Sequence, residues 1–278
     1  MVNISAFADE ISPDLDEQIA VLLGEKIHYI DLRGMWGTNV LDLTDGQLSE
    51  IRARLNDAGM GVSTIGSPIG KVAIDSSFDE HIHRFERAIT VARFFNTPYI
   101  RIFSFYPPGG PTPGADMAPY RDVVLHHLHE LTARARAADI TLLHENEKGI
   151  YGDTIARCVD LLQSIADPNF AAILDPANFI QCGETPFPDA YEAIVPWLRN
   201  VHVKDALADG TVVAAGEGIA TWPSLLLRLR ESGYNGFLSL EPHLAEGAMF
   251  GGFSGPDRFR HAARSLQGLL RAQDWKYA

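Results

Sequence analysis

The stretch LLHENEKGIYGDT, residues 142–154, places an imidazole, two carboxylates and an amide directly after an apolar pair. Three later stretches resemble it: ILDPANF carries Asp175, NVHVKD carries His202 and FLSLEPH carries Glu241. The intervals between Glu145, Asp175, His202 and Glu241 are 30, 27 and 39 residues, each about one strand, one helix and two loops. Carboxylate oxygens and an imidazole nitrogen bind divalent cations. The four residues therefore form a candidate metal site, provided that the fold brings these stretches together.

Short β-rich runs alternate with longer stretches of helical period along the chain. Eight runs are predicted to be strands: 3–7, 28–33, 61–66, 98–103, 140–145, 171–175, 200–204 and 236–241. The segments between them, including 187–198, and the tail 257–273 are predicted to be helical. Eight strand–helix units without a second composition regime predict one α/β domain over residues 1–278, a single (β/α)8 TIM barrel. A doubly wound open sheet is the alternative.

A barrel would gather the candidate ligands at one mouth, because the C-terminal ends of its strands surround the face that carries the chemistry. Side chains alternate along a strand, so Glu145, His202, Lys204 and Glu241 are expected to face the barrel axis. His144 is expected to point toward the helices as a packed or supporting residue. Three converging carboxylates repel one another without a cation. Their oxygens and one nitrogen favour Mn²⁺, then Mg²⁺ or Co²⁺, with Zn²⁺ less favoured.

Several motifs together carry a family resemblance: HENEKGIYGD, ILDPANF, NVHVKD, the GEG of AAGEGIATW, and LSLEPH. They resemble the sugar phosphate isomerase/epimerase family, the xylose isomerase-like TIM barrels that also include endonuclease IV, over essentially the whole chain. The resemblance implies that Glu145, Asp175, His202 and Glu241 are metal ligands. It also implies that Glu145 and Glu241 form the acid–base pair of a ketose epimerase. The residues Lys-Asp that follow the histidine at 204–205 depart from the pattern of those epimerases.

Such a site supports reactions that pass through a metal-stabilised enediolate. One glutamate would remove a proton beside a carbonyl group, and the other would return it to the opposite face, which inverts a carbinol centre. Return of the proton to the neighbouring carbon would be an aldose–ketose isomerisation. Loss of a β-substituent would make the protein a dehydratase or lyase of a related keto-sugar or inosose. The sequence predicts a metal-dependent sugar isomerase or epimerase and leaves these reactions open.

Residues near the strand ends are candidates for substrate contacts: Arg33, Lys71, Arg101, Lys204, His243 and Trp36. A cation at an acidic rim can bond sugar hydroxyls, or it can simply pair with Asp31, Asp205 or Glu147. Trp36 either stacks on a sugar face or anchors a loop. Asn178 either orients a ligand carboxylate or caps a turn. Glu147 is expected to be solvated or to bond a loop amide rather than to be a second acid–base group.

Three loops bear on the substrate. Loops 104–120 and 243–257 are longer than connections usually are without a function, so they are predicted to be lids over the site. In the third, AAGEGIATW, Glu217 lies where barrel phosphate sites favour glycine-rich loops. An acid there would oppose a phosphate dianion. We therefore expect an unphosphorylated sugar, a polyol-derived ketone or a keto-glycoside.

Composition disfavours other classes of protein. A formal net charge of −13 and a pI near 5.1 argue against nucleic acid as a partner and against an endonuclease IV-like nuclease. A non-catalytic sugar-binding barrel or a subunit of a redox enzyme would have no use for the ligand quartet. An acidic start and the lack of a run of about 18 apolar residues predict a cytoplasmic protein without membrane contact. Cys158 and Cys182 are expected to be reduced thiols, and homo-oligomerisation is left open.

Overall fold

Eight parallel strands close into a barrel in the computed structural model, which describes residues 1–112, 115–245 and 252–278. They are β1 Asn3–Ala6, β2 Tyr29–Leu32, β3 Gly61–Ile65, β4 Tyr99–Ile102, β5 Thr141–Glu145, β6 Phe170–Leu174, β7 Leu198–Val203 and β8 Phe237–Leu240. Each strand pairs with its neighbours along the chain, and β8 pairs with β1. The (β/α)8 barrel predicted from the sequence is confirmed.

Helices surround the barrel. They are α1 Leu15–Gly24, α2 Asp45–Asp57, α3 Phe78–Phe95, α4 Arg121–Ala137, α5 Ile155–Ile165, α6 Pro176–Gln181, α7 Tyr191–Ile194, α8 Trp222–Glu231 and α9 Pro256–Ala272. Side chains of Asp14, Thr44, Ser77 and Thr154 accept backbone N–H bonds and so fix the starts of α1, α2, α3 and α5. No described helix is both long and apolar enough to cross a membrane.

The segment between β6 and β7 differs from the prediction. Instead of one helix over 187–198, short pieces follow one another: a π-helical turn at Pro186–Ala190, α7, and a 3₁₀ turn at Val195–Trp197. Proline has no N–H and its ring clashes with the preceding turn, so Pro188 and Pro196 prevent a continuous helix. Helix α6, which begins directly after Asp175, was not predicted from the sequence. The Asp175 side chain caps this helix by accepting the backbone N–H of Asn178 at 2.9 Å.

Short elements extend the loops at the C-terminal ends of the strands. Two small hairpins follow β2 and β7, at Gly34–Met35 with Thr38–Asn39 and at Asp205–Ala206 with Val212–Val213. Turns of 3₁₀ helix lie at Ala8–Glu10, Val40–Asp42, Ala118–Tyr120 and Tyr151–Asp153. The loops after β3 and β4 pack closely, because Gly70 has φ +86° and a Cβ there would lie 2.0 Å from the Phe103 carbonyl oxygen.

The strands separate two apolar regions. Leu142, Val201 and Leu240 belong to the large core between barrel and helices, whereas Leu143 and Ile173 belong to a small separate cluster with Ala171. Alternate residues of one strand thus face opposite regions, as the period of two predicts. The core between the barrel and the helices holds the strands in place, and their C-terminal ends are left to carry polar groups.

Two buried histidines make the folded state sensitive to acid. Burial lowers the pKa of His81 and of His127 from 6.5 to about 4. His81 Nε2 accepts the Gly70 N–H at 3.1 Å, and the ring of His127 stacks on Phe78 at 3.7 Å. The unfolded chain binds protons at these positions below about pH 6.5 while the folded protein does not until about pH 4, so each histidine costs stability as the pH falls through that window.

We therefore predict that H127F, which keeps a stacking ring but cannot titrate, loses less unfolding free energy than the wild type between about pH 7 and about pH 5. Urea unfolding at the two pH values measures this difference. The matched control is H83F, because the side chain of His83 is 80% exposed and the same substitution there removes no buried group. Equal losses in H127F and in the wild type would contradict the assignment of His127 as a buried neutral group.

Candidate active site at the barrel mouth

The four predicted ligands meet at the barrel mouth. Glu145 ends β5, Asp175 follows β6, His202 lies in β7 and Glu241 follows β8, and each is at most 2% exposed. One potential ligand atom from each of the four lies within 4.8 Å of the others. Donors at about 2.0 to 2.6 Å from one ion lie at most about 4 to 5 Å from each other, so this spacing is compatible with a shared cation.

His202 lies at the centre of the group. Its Nδ1 is 3.3 Å from Glu145 Oε1, 3.1 Å from Glu241 Oε2 and 3.9 Å from Asp175 Oδ2. Burial alone would lower the pKa of His202, but the charges of the two glutamates outweigh it and raise that pKa to about 10. Nδ1 forms no hydrogen bond of acceptable geometry with the described residues. A buried nitrogen that faces three carboxylate oxygens and lacks such a bond fits a divalent cation.

The two glutamates share their contacts symmetrically. Each directs one oxygen to His202 and the other to Arg101, whose Nη1 lies 3.1 Å from Glu145 Oε2 and 3.3 Å from Glu241 Oε1. Burial would raise the pKa of Glu145, but His202 and Arg101 hold it at about 2. The pKa of Glu241 also lies well below its usual value, because Lys204 and two histidines outweigh the effect of burial. Both glutamates are therefore ionised at neutral pH.

Positively charged side chains lie beside the three carboxylates, which the prediction of a metal from carboxylate repulsion did not take into account. Lys204, which is 3% exposed, places Nζ 2.8 Å from Asp175 Oδ2 and 3.5 Å from Glu241 Oε2. Arg33 Nη1 lies 3.0 Å from Glu241 Oε1, and Arg101 bridges the two glutamates. These three cations contact the three carboxylates, and His202, which its raised pKa of about 10 keeps protonated at neutral pH, is a fourth. The repulsion that suggested a metal is already offset by the protein, so the case for a metal depends on the ligand geometry and on His202 Nδ1.

Asn146 and Asn178 hold two of the four predicted ligands, Asp175 and Glu145, in place. Asn146 donates from Nδ2 to the Asp175 carbonyl and accepts the Asp175 N–H through Oδ1, both at 2.9 Å. Asn178 donates from Nδ2 to Glu145 Oε1 at 3.2 Å and to the Asn146 carbonyl at 2.9 Å. Sequence reasoning considered a ligand-orienting role for Asn178 but missed the role of Asn146. Its place between Glu145 and Glu147 in a buried strand end was the signal that could have revealed it.

A cavity of about 390 Å³ opens above the quartet. Five of the six predicted substrate-contact residues line it, together with residues from several loops: Arg33, Lys71, Arg101, Lys204 and His243, with Tyr106, Pro111, Glu147, Lys148, Asn178, Gln181, Val212, Glu241, Ala245 and Gly252. Trp36 is not among them. Its side chain is half-buried and packs against the hydrophobic core, and its backbone N–H donates to the Pro13 carbonyl at 3.1 Å, which matches the loop-anchor alternative.

Two acidic residues in the turn after β1, Asp9 and Glu10, belong to the site but were not predicted from the sequence. Asp9 Oδ2 lies 2.8 Å from Arg33 Nε. Glu10, which is fully buried, accepts the His243 N–H at 2.8 Å and the Ser254 hydroxyl at 3.0 Å, and its Oε1 lies 3.1 Å from His243 Nε2. These contacts fasten described parts of the predicted lid 243–257. Its residues 246–251, and residues 113–114 of the predicted lid 104–120, lie outside the described residues. The rule that polar residues at strand ends carry chemistry would have found both acids.

The first and last residues of HENE lie in different surroundings, His144 on the helix side of β5 and Glu147 at the cavity. Glu147 lines the cavity and pairs with Lys71, with Nζ and Oε2 3.0 Å apart. His144 lies 2% exposed on the other side of the strand, with Nε2 3.0 Å from Ser104 Oγ, as alternation predicts. Burial lowers the pKa of His144 to about 4, so this residue is a neutral packing group.

The AAGEGIATW loop is fastened by a carboxylate. Asp205, which is fully buried, accepts the N–H groups of Gly216 and Gly218 at Oδ2 and those of Ala206 and Ala220 at Oδ1, at 2.8 to 3.0 Å. Gly218 is needed there, because a Cβ would lie 2.3 Å from the Asp205 Oδ1. These N–H groups are therefore occupied by the protein itself.

Glu217 points elsewhere than the sequence argument assumed. Its side chain is 46% exposed, and Oε1 lies 2.7 Å from His261 Nε2 of α9. It is not among the residues that line the described cavity. The charge of Glu217 therefore faces α9 rather than the described cavity, because the loop turns this side chain toward His261.

Solved structures share the fold over nearly the whole chain. D-psicose 3-epimerase from Clostridium cellulolyticum H10, solved with D-tagatose, is 15% identical with a TM-score of 0.75, and the match covers 98% of this chain and 99% of that chain. The "probable 3-DHS dehydratase AsbF" from Bacillus anthracis is 18% identical with a TM-score of 0.74, and the match covers 96% of this chain and 99% of that chain. The IOLI protein, solved with a zinc atom, is 14% identical with a TM-score of 0.77, and the match covers 98% of this chain and 99% of that chain. At such identities the likeness concerns the fold alone.

Comparison with protein families gives a direct assignment. No curated protein matches the sequence. The family described as "Xylose isomerase-like TIM barrel" matches residues 25–269. This range contains β2 to β8 and with them all four residues of the quartet. The chain therefore belongs to the xylose isomerase-like TIM barrel family.

Proposed function

We propose that the protein is a divalent-metal-dependent isomerase or epimerase of a sugar or keto-sugar. Glu145, Asp175, His202 and Glu241 would hold the metal, and Glu145 and Glu241 would also transfer the proton. The observation that carries this proposal is the arrangement of the two glutamates, each with one oxygen toward His202 and one toward Arg101. One oxygen of each can thus ligate an ion, while the other lies beside Arg101, which lines the cavity together with Glu241.

The proposed cofactor is one divalent cation, with Mn²⁺ preferred and Mg²⁺, Co²⁺ or Zn²⁺ as alternatives. A cation held by the quartet supplies positive charge beside a substrate carbonyl, which makes the neighbouring C–H bond more acidic. Three oxygen donors and one nitrogen suit Mn²⁺. The zinc atom in the structurally similar IOLI protein keeps Zn²⁺ among the candidates.

The proton transfer follows from the positions of the two glutamates. Glu145 and Glu241 end strands that are three places apart in a ring of eight, so they approach a bound substrate from different sides. One ionised carboxylate removes the proton and the other, once protonated, returns it to the opposite face. Arg101 lies between them and can offset negative charge that develops on a substrate oxygen. This geometry favours inversion at one carbon, hence epimerisation.

A dehydratase or lyase acting on a keto-sugar or inosose is the second candidate. Elimination requires the same proton abstraction and, in addition, a group that protonates the departing oxygen. Lys71, Lys148 and Tyr106 line the cavity and are available for that role. An endonuclease IV-like activity is disfavoured by the net charge of −13 and by the single imidazole in the quartet.

The proposed substrate is unphosphorylated, because the loop N–H groups that could bind a phosphate are bonded to Asp205. Phosphate groups in barrel enzymes are bound by backbone N–H groups of loops near strands seven and eight. Here the N–H groups of Gly216, Gly218 and Ala220 are bonded to Asp205. They cannot also bind a phosphate. The amides and carboxylates that line the cavity suit the hydroxyl groups of a sugar.

The first test concerns the metal. D175N removes a charged ligand but keeps an oxygen that can cap α6, and H202A removes the nitrogen ligand. Both should lose at least about 10²-fold in activity while circular dichroism shows that the fold is retained, and their Tm should fall because each substitution leaves buried charges without a partner. Dialysis against a chelator should inactivate the wild type, and added Mn²⁺ should restore it. Full activity in a preparation shown by elemental analysis to be free of metal would overturn the metal dependence.

The second test separates ligation from proton transfer. E145Q and E241Q keep the size and one oxygen donor but remove the basic carboxylate. Each should lose about 10² to 10⁴-fold in turnover. In D₂O, NMR of keto-sugars should show that each variant loses C–H exchange from the epimer whose base is missing, while the other epimer still exchanges. Uniform loss from both epimers would argue against two bases on opposite faces.

E147Q is the matched control for that experiment. Glu147 lies two residues from Glu145 and pairs with Lys71, so its loss should leave most of the exchange activity. If E147Q abolishes exchange while E145Q retains it, the acid–base assignment belongs to Glu147 instead.

The third test concerns Asn146. N146A removes both bonds to the Asp175 backbone, so Asp175 should shift and catalysis should fall by about tenfold to 10²-fold. The control is N169A, which removes a 2.9 Å bond from Asn169 Nδ2 to the Ile140 carbonyl near the opposite ends of β5 and β6. Both variants should lose similar stability in urea unfolding, but only N146A should lose activity. Equal activity in the two variants would show that Asn146 does not position the site.

A further inference from the structure

Lys204 occupies an unusual position for a cation beside a proposed metal site. It follows β7 two residues after His202, it is 3% exposed, and it lines the cavity. Its Nζ lies 2.8 Å from Asp175 Oδ2 and 3.5 Å from Glu241 Oε2. Two of the four proposed ligands are thus already in contact with a buried ammonium group.

The contact with Asp175 involves the oxygen that a metal would need. Asp175 Oδ1 accepts the N–H of Asn178 and caps α6, which leaves Oδ2 as the oxygen free to ligate. Oδ2 is the atom that Lys204 contacts, and it is also the Asp175 atom nearest to His202 Nδ1, at 3.9 Å. An entering cation and the ammonium group therefore compete for one oxygen. They also repel each other across a buried space, where charges are poorly screened.

We propose that Lys204 is a built-in competitor of the metal: its ammonium group holds Asp175 and Glu241 together in the metal-free protein and weakens the binding of a divalent cation to the quartet. This inference rests on the proposed function in one respect, that the quartet is the metal site. In this proposal Lys204 leaves Asp175 Oδ2 when the cation binds. Because Lys204 lines the cavity, its Nζ then becomes available to a substrate oxygen, so metal binding prepares a substrate contact.

A purely structural role for Lys204 predicts the opposite effect on metal binding. If the lysine only fixed Asp175 in place, its removal would disorder a ligand and weaken the affinity for the metal. If it competes, its removal strengthens the affinity even though the metal-free protein loses a stabilising contact. The direction of the change in Kd therefore distinguishes the two roles.

The test is calorimetric titration of chelator-treated protein with MnCl₂, with the wild type compared with K204M and K204Q. Methionine preserves much of the length and packing, and glutamine retains a hydrogen-bond donor without the charge. We expect both variants to bind Mn²⁺ at least about tenfold more tightly than the wild type. The matched control is K71M, which removes a cation from the same cavity whose partner is Glu147 at 3.0 Å; its Kd should change less than about twofold.

Thermal unfolding provides a second readout that does not depend on activity. The metal-free K204M protein should have a lower Tm than the metal-free wild type, because Asp175 and Glu241 lose their counter-ion. Added Mn²⁺ should raise the Tm of K204M more than that of the wild type.

The outcomes separate the two proposals. Wild-type binding with unchanged or weaker binding in both Lys204 variants would overturn the competition and leave the proposed function intact. Absence of Mn²⁺, Mg²⁺, Co²⁺ and Zn²⁺ binding in all proteins would overturn both the competition and the metal dependence.

Discussion

The structure of the mouth depends on one electrostatic constraint: three carboxylates must share a closed space with one imidazole. Glu145, Asp175 and Glu241 are each at most 2% exposed, so water cannot screen them. A buried charge without a partner costs several kcal/mol, and removing one partner of a buried pair costs about 3 to 5 kcal/mol. Buried cations offset this cost, and they are held in position by contacts of their own: Arg33 pairs with Asp9, and Arg101 donates to the Gly66 carbonyl. The site is therefore one connected network, and its members cannot be considered singly.

The sequence predicts the part of this network that local chemistry determines. Alternation along the strands placed Glu145 and His202 on the inner face, and strand-and-helix spacing placed the four ligands at one end of the barrel. What it could not predict is the choice of partner between distant strands. Arg33 pairs with Asp9 rather than with Asp31, because Asp31 accepts the hydroxyl of Ser5 inside the barrel at 2.5 Å. Such choices depend on barrel closure, which no local pattern encodes.

The errors along the chain have similar causes. The period of residues 187–198 suits a helix, but two prolines in that segment interrupt the hydrogen bonds that a continuous helix needs. Glu217 lies in the expected loop, yet its direction was misjudged, because the side-chain direction in a loop follows from backbone contacts rather than from sequence position. Here the contacts are those of Asp205 with the surrounding N–H groups. Regular elements can be predicted from periodicity, whereas loops need the tertiary structure.

The consecutive residues Lys204 and Asp205 show how one departure from the epimerase pattern has two separate consequences. Lys204 contacts Asp175 and Glu241 inside the mouth, whereas Asp205 accepts four backbone N–H groups and fastens the loop that follows β7. The first residue adds a buried positive charge beside the quartet. The second removes N–H groups that could otherwise bind an anion. The dipeptide therefore changes the surroundings of the quartet without being part of it, through a buried charge at Lys204 and a fastened loop at Asp205.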